Sequence, residues 1–294
     1  MTIQAITVDE NVNLTLSDEP IAIRIRFVNE LDDPASASMK FLDPTLCYAV
    51  SSSCLLSDAP GPNALDVLVW PLSIKPPPTL LSSKRNSTDV AEKPNEWFDA
   101  VVDESRLPSI VVKMRGAEVT WRPGRALLQC EPEQTASLLK AIIDFNYFEN
   151  ELRKIESEIA AGWADLEVDK RLAYQVTPSD LECSEIVGRR IDQTLQRRIR
   201  HARIEPHLYA PNLQLTLAGQ KVGEELREKA NIEDRSETVD SQMEVFEHVY
   251  EMGSQRMGEF RDSRQGHTLE WVIIILLGSE VILLIADMLW QLET

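Results

Sequence analysis

Residues 267–294 read HTLEWVIIILLGSEVILLIADMLWQLET. Trp271 to Trp290 is a stretch of 20 residues. As a helix it is about 30 Å long, the thickness of a bilayer core. Trp271 and Trp290 mark its two ends, where amphipathic rings favour the headgroup layer. Twelve of the residues between them are Val, Ile or Leu. Each favours insertion by roughly 0.3–0.6 kcal/mol, about 4–7 kcal/mol together. Glu280, near the centre, opposes this by ~2.5–3.5 kcal/mol, and Asp287, near an edge, by less. The balance predicts a single transmembrane helix over 269–292. The competing reading is an apolar core or oligomer helix, and the aromatic flanks favour the membrane.

The charge around this segment sets a topology. Arg256, Arg261, Arg264 and His267 precede it, and only Gln291, Leu292, Glu293 and Thr294 follow. The positive-inside rule then places the body in the cytoplasm, tail-anchored in an inner membrane. The opening MTIQAITVDENVNLTLSDEP has neither the basic start nor the apolar core of a signal peptide. The whole chain carries a net charge of −18, which argues against a nucleic-acid partner and against peripheral attraction to anionic lipid. Cys47, Cys54, Cys130 and Cys183 form no C-x-x-C pair and have no histidine at zinc-ligand spacing, so no metal or other cofactor is expected. Cys47 and Cys54 are close enough in sequence to pair, but reduced buried thiols suit a cytoplasmic body better.

Upstream, the chain reads in two styles. Residues 1–130 carry strand signals. Ile21, Ile23, Ile25 and Phe27 alternate with Ala22, Arg24, Arg26 and Val28. Leu65–Trp70 and Ser109–Met114 are short apolar runs, and Ala117–Trp121 and Ala126–Cys130 flank a Pro123-Gly124 turn. Between them, 75–96 opens with three prolines and reads as a loop or linker. Asn86-Ser87-Thr88 matches a glycosylation pattern that a cytoplasmic site would leave silent.

Residues 131–268 read as helical. Leu138, Leu139, Ile142, Phe145, Phe148, Leu152, Ile155 and Ile159 recur at helical spacing. Thr177-Pro178 starts a helix, Pro206 is expected to end it, and Asn212 to cap the next. Arg197, Arg198, Arg200 and Arg203 form the densest basic cluster. They read either as a patch for an anionic partner or as a helix face paired with nearby acids. Over 239–260, Val239, Met243, Phe246, Tyr250, Gly253, Met257 and Phe260 step by alternating fours and threes, a heptad-like coiled-coil seam. It suits either a hairpin with the 213–230 helix or a parallel oligomer. The fold class is therefore α+β: a small N-terminal mixed β region, a helical region and one transmembrane helix.

The segment LEWVIIILLGSEVILLIA resembles the C-terminal signature of the required-for-meiotic-nuclear-division family, domain of unknown function 155. The correspondence rests on Leu269, Glu270, Trp271, Ile273 to Ile275 and Glu280, within a similarity over about the last 80 residues. The resemblance implies a membrane-anchored protein without established catalytic chemistry. Eukaryotic members include mitochondrial inner-membrane proteins that support organellar translation. The first 20 residues hold no Arg or Lys, unlike a mitochondrial presequence, so a bacterial member is expected.

No phosphate-binding loop, dinucleotide fingerprint, nucleophile elbow or H-E-x-x-H motif occurs. His201, His207, His248 and His267 are expected at the surface. The function expected is a membrane-bound scaffold, with partners in the bilayer: its own copy or another membrane protein. An enzyme acting on a nucleotide or lipid headgroup near Arg197–Arg203, or an accessory subunit of a channel or transporter, are the alternatives. Leu269, Glu270, Trp271, Glu280, Asp287 and Trp290 are the candidate anchor residues. Asp287 falls within about 20° of Glu280 around a helix, so one side of the anchor is acidic. A carboxyl group at that depth is expected to be neutralised or to face a protein partner.

Overall fold

The computed structural model describes residues 21–53, 63–71, 98, 109–182 and 184–293, with the side chains of Ser53, Trp70, Pro71, Glu182 and 285–293 excepted. The 75–96 segment, Asn86, Cys54, Cys183 and the first 20 residues lie outside this set.

The chain is α+β, a mixed sheet followed by helices. The strands are β1 (Ile21–Val28), β2 (Met39–Phe41), β3 (Cys47–Ser53), β4 (Ala64–Pro71), β5 (Ile110–Met114), β6 (Ala117–Arg122) and β7 (Arg125–Cys130). The helices are α1 (Thr135–Asp169), α2 (Pro178–Glu182), α3 (Ser184–Tyr209), α4 (Leu217–Lys229) and α5 (Ile232–Glu293). These elements form two compact units. The first comprises residues 1–157 and 199–240, and the second 158–198 and 241–294.

The first unit holds the sheet, ordered β2-β3-β1-β4-β7-β6-β5. All neighbours are antiparallel except β4 and β7. The period-2 pattern turns Ile25, Leu65, Val67, Val119, Trp121 and Leu128 to one buried face. The start of α1 covers it. Trp121 meets Phe145 edge-on at 4.8 Å, and Tyr147 stacks on Phe41 at 4.0 Å. The Trp121 indole donates to Asn146 Oδ1 at 3.2 Å, so the ring's one donor is satisfied inside the core.

The other face carries a transverse polar row. Ser52, Arg24, Asp66, Arg125 and Arg122 are successive cross-strand partners on five adjacent strands. Arg24 grips Asp66 with two bonds of 2.7 and 2.8 Å. Beside the row, Phe98 packs with Leu68, Ala22 and Leu127, and the Arg122 guanidinium lies 4.9 Å from its ring centre. The turns joining β5 to β6 and β6 to β7 place Gly116 and Gly124 at φ 82° and 78°, where a side chain would be strained.

In the second unit the end of α1 packs on α5. Trp163 meets Phe246 at 5.0 Å, and a Cβ on Gly162 would stand 3.0 Å from the Phe246 ring. A glycine there permits the close approach of the two helices. Tyr250 donates to Asp169 at 3.3 Å, and Arg190 binds both Asp165 and Asp169. α2 starts at Pro178, as expected. Asp180 accepts from the Thr177 amide and hydroxyl, each at 2.7 Å.

Three expectations need correction. α3 does not stop at Pro206 but continues through it to Tyr209. A proline near a helix end forfeits a single ladder bond, and the buried Ile204 and Leu208 hold the last turn in place. Asn212 is not the cap of the next helix. Its side chain accepts from Gln214 in a turn, and Thr216 caps α4 by accepting from Gly219. The helix thus begins at Leu217, leaving Leu213 exposed. His201 is not at the surface: it is 2% exposed, with Nε2 3.0 Å from the Ser236 hydroxyl.

Candidate functional site

The candidate site is the far half of α5. This helix runs unbroken for 62 residues. Val239, Met243, Phe246, Tyr250, Gly253 and Met257 are buried, as a heptad-like seam requires. In the second unit the seam packs on the chain's own α1 and the turn after it, with a Gly253 Cβ position 3.3 Å from Leu172. The hairpin expected with 213–230 thus has α1 as its partner there. Phe260 is half-buried, and from Arg261 to Leu284 every residue is exposed. The continuation of the register through Arg264, His267 and Trp271 is exposed.

The apolar stretch of α5 is long and apolar enough to cross a membrane, and 0% of it is buried. Among the described residues it is part of no core. Leu269 and Trp271 are about two-thirds exposed at its start. Glu270 pairs with His267 at 3.1 Å. Glu280 is exposed in the middle of the stretch. Ser279 donates to the Leu276 carbonyl at 2.7 Å, which satisfies its hydroxyl inside the helix. Asp287 and Trp290 follow on the same helix; their side chains are outside the described set.

The four arginines of the basic cluster on α3 each face an acid. Arg197 is 3.5 Å from Glu158, Arg198 3.6 Å from Glu247, and Arg200 3.9 Å from Glu151. Arg203 is 3.6 Å from Asp43 and donates to the Pro44 carbonyl at 2.8 Å. A helix so rich in arginine is thereby matched within a strongly acidic chain.

Sequence reading missed the polar interior of the first unit. Asp144 and Arg227 form a buried pair at 2.8 Å, and Arg227 also donates to the His207 and Gly223 carbonyls. Burial pushes the Asp144 carboxyl above its ordinary range, against the pull of Arg227. Glu149 is buried between Arg153 and Arg235. Burial also raises Tyr147 and Cys47, so both stay protonated near neutral pH. The signal was present in IIDFNYFENEL, where acids and amides interrupt a run of core residues. Such a helix is covered on more than one side and must partner its polar groups.

A cavity of about 410 Å³ in the first unit is lined by Glu224, Glu228, Glu233 and Asp234, with Arg227 and Asn231 among its neighbours. Its guanidinium, that of Arg227, is committed to Asp144, and among the described residues no histidine, serine or cysteine lines it. Among the described residues no group of three or more histidines, cysteines or acids is placed to hold a metal ion.

No protein-family model matches this chain, and no curated protein matches it.

Proposed function

We propose that this chain is a single-pass membrane protein that holds an α+β body at the cytoplasmic face of an inner membrane and serves there as a scaffold. The observation that supports this reading is the last helix. It is part of the packed body up to Met257 and continues unbroken into an apolar segment whose described side chains, through Leu284, are exposed. Keeping that much apolar surface in water costs about 25 cal/mol per Å². A bilayer removes the cost. Arg256, Arg261 and Arg264 before the span favour the cytoplasm for the body. The resemblance of Leu269–Glu280 to the domain-of-unknown-function-155 signature supports the same assignment. The partners in this reading are lipid and a second transmembrane helix against the Glu280 side of the anchor.

The topology is tested with intact spheroplasts. Protease added outside is expected to leave the body whole, and protease added to inverted vesicles is expected to digest it. Digestion of the body in intact spheroplasts would reverse the assignment.

A further inference from the structure

We infer that the Glu280 face of the anchor docks a transmembrane helix of a different protein, one carrying an arginine or lysine at mid-depth and further basic residues where it leaves the membrane. The inference rests on the proposed membrane insertion and adds the chemistry of the partner.

Around a helix at about 100° per residue, Asp262 lies at the same angle as Glu280, Leu269 and Ile273 within about 20°, and Leu276 within about 40°. Glu259 is about 60° away. By position, Asp287 falls within about 20° as well. The bases are elsewhere: Arg261, Arg256, His267 and Arg264 lie about 100°, 120°, 140° and 160° from Glu280. The outer part of α5 is therefore divided by charge, acidic along the face of Glu280 and basic away from it. All described side chains on this face from Asp262 to Leu283 are exposed. Among the described residues, no hydrogen bond or ion pair reaches the carboxylates of Asp262 and Glu280. Glu259 meets only Gln255 and Arg256 of its own helix.

Three occupants compete for this face. Lipid alone leaves the Glu280 carboxyl in hydrocarbon with no partner. A second copy packed face to face sets Asp262, Glu280 and Asp287 against themselves, like charge on like charge at successive levels. A helix with a cation at mid-depth and bases at the membrane edge opposes each acid with a base. The charge pattern selects the third.

The test uses the full-length protein in phosphatidylcholine vesicles. The probe is a synthetic Leu/Ala transmembrane peptide with one central arginine, lysines at the end beside the body, and a photoreactive leucine next to the arginine. The control peptide has leucine at its centre. The arginine peptide is expected to crosslink about tenfold more, with adducts mapped to Ile273, Leu276 or Leu283. Glu280→Leu should lower its yield to that of the control, and Asp262→Lys should lower it partly. Arg264→Glu, on the far side, should not lower it. Equal yields from the two peptides, or no effect of Glu280→Leu, would overturn the inference. So would a dominant adduct between copies of the protein when the photoreactive group is placed at Leu276. If the protein washes out of the vesicles at alkaline pH, membrane insertion itself fails, and that result is distinguishable from weak docking by a retained protein.

Discussion

Asp144 and Arg227 bring opposite charges into the core of the first unit at a separation of 2.8 Å. Burial raises the Asp144 carboxyl while Arg227 pulls it down, so removing either partner leaves a buried group without its match. Arg227→Leu strands a buried carboxyl and is expected to destabilise the detergent-solubilised protein by ~3–5 kcal/mol in urea unfolding. Asp144→Asn keeps an acceptor for the guanidinium and should cost clearly less. Equal losses would mean that the pair itself stabilises the fold. Asp180 behaves in the opposite sense. Hydrogen bonds from Arg171, then Thr177, hold its carboxyl well below the ordinary carboxylate range. Its folded form loses the proton more easily than its unfolded form. It therefore contributes stability above an ordinary aspartate pKa of ~3.9, and the contribution is lost as pH falls through the folded value. Asp180→Asn should flatten the acid limb of a stability–pH curve below about pH 4 and lower the plateau at neutral pH. The cysteines extend the residue-scale account. Cys47 and Cys130 are buried free thiols with burial holding both above the usual thiol range. Both should resist iodoacetamide in the native protein and react once urea unfolds it. Rapid native alkylation of either would contradict the packing.

At the scale of elements, α1 and α5 show what periodicity can and cannot reveal. The eight apolar positions from Leu138 to Ile159 are all buried, and their spacing alone located the helix. The β6–β7 hairpin was legible because Pro123-Gly124 and the alternation agree on one register. β2 and β3 were not legible. Met39–Phe41 is too short for a pattern, and Cys47–Ser53 ends in three serines that only a paired sheet position explains. His201 was missed for a related reason: Ser236, a hydroxyl it meets in the core, lies 35 residues away, and sequence spacing cannot bring them together. The heptad seam was visible in the spacing, but a repeat does not name its partner; Gly162 does, because only a small residue on α1 admits the Phe246 ring. Phe246→Ala should cost ~3–5 kcal/mol through the cavity it leaves, and Gly162→Val should be comparably harmful through overlap with the ring. A Gly162→Val protein with unchanged thermal stability would place the α1–α5 contact elsewhere.

At the scale of the whole molecule, the segment read first still governs the account. Residues 269–290 announce a span by length, aromatic ends and apolar content. The structure adds that the span's described side chains, through Leu284, are all exposed. Membrane anchoring is thus the claim on which the scaffold reading and the docking face of Glu280 both depend. The most direct measurement is alkaline carbonate extraction of membranes holding the full-length protein, beside a form lacking Leu269–Thr294. The full chain is expected to stay in the pellet, and the shortened form to leave it as a folded, soluble body. Release of the full-length protein into the supernatant would contradict the account.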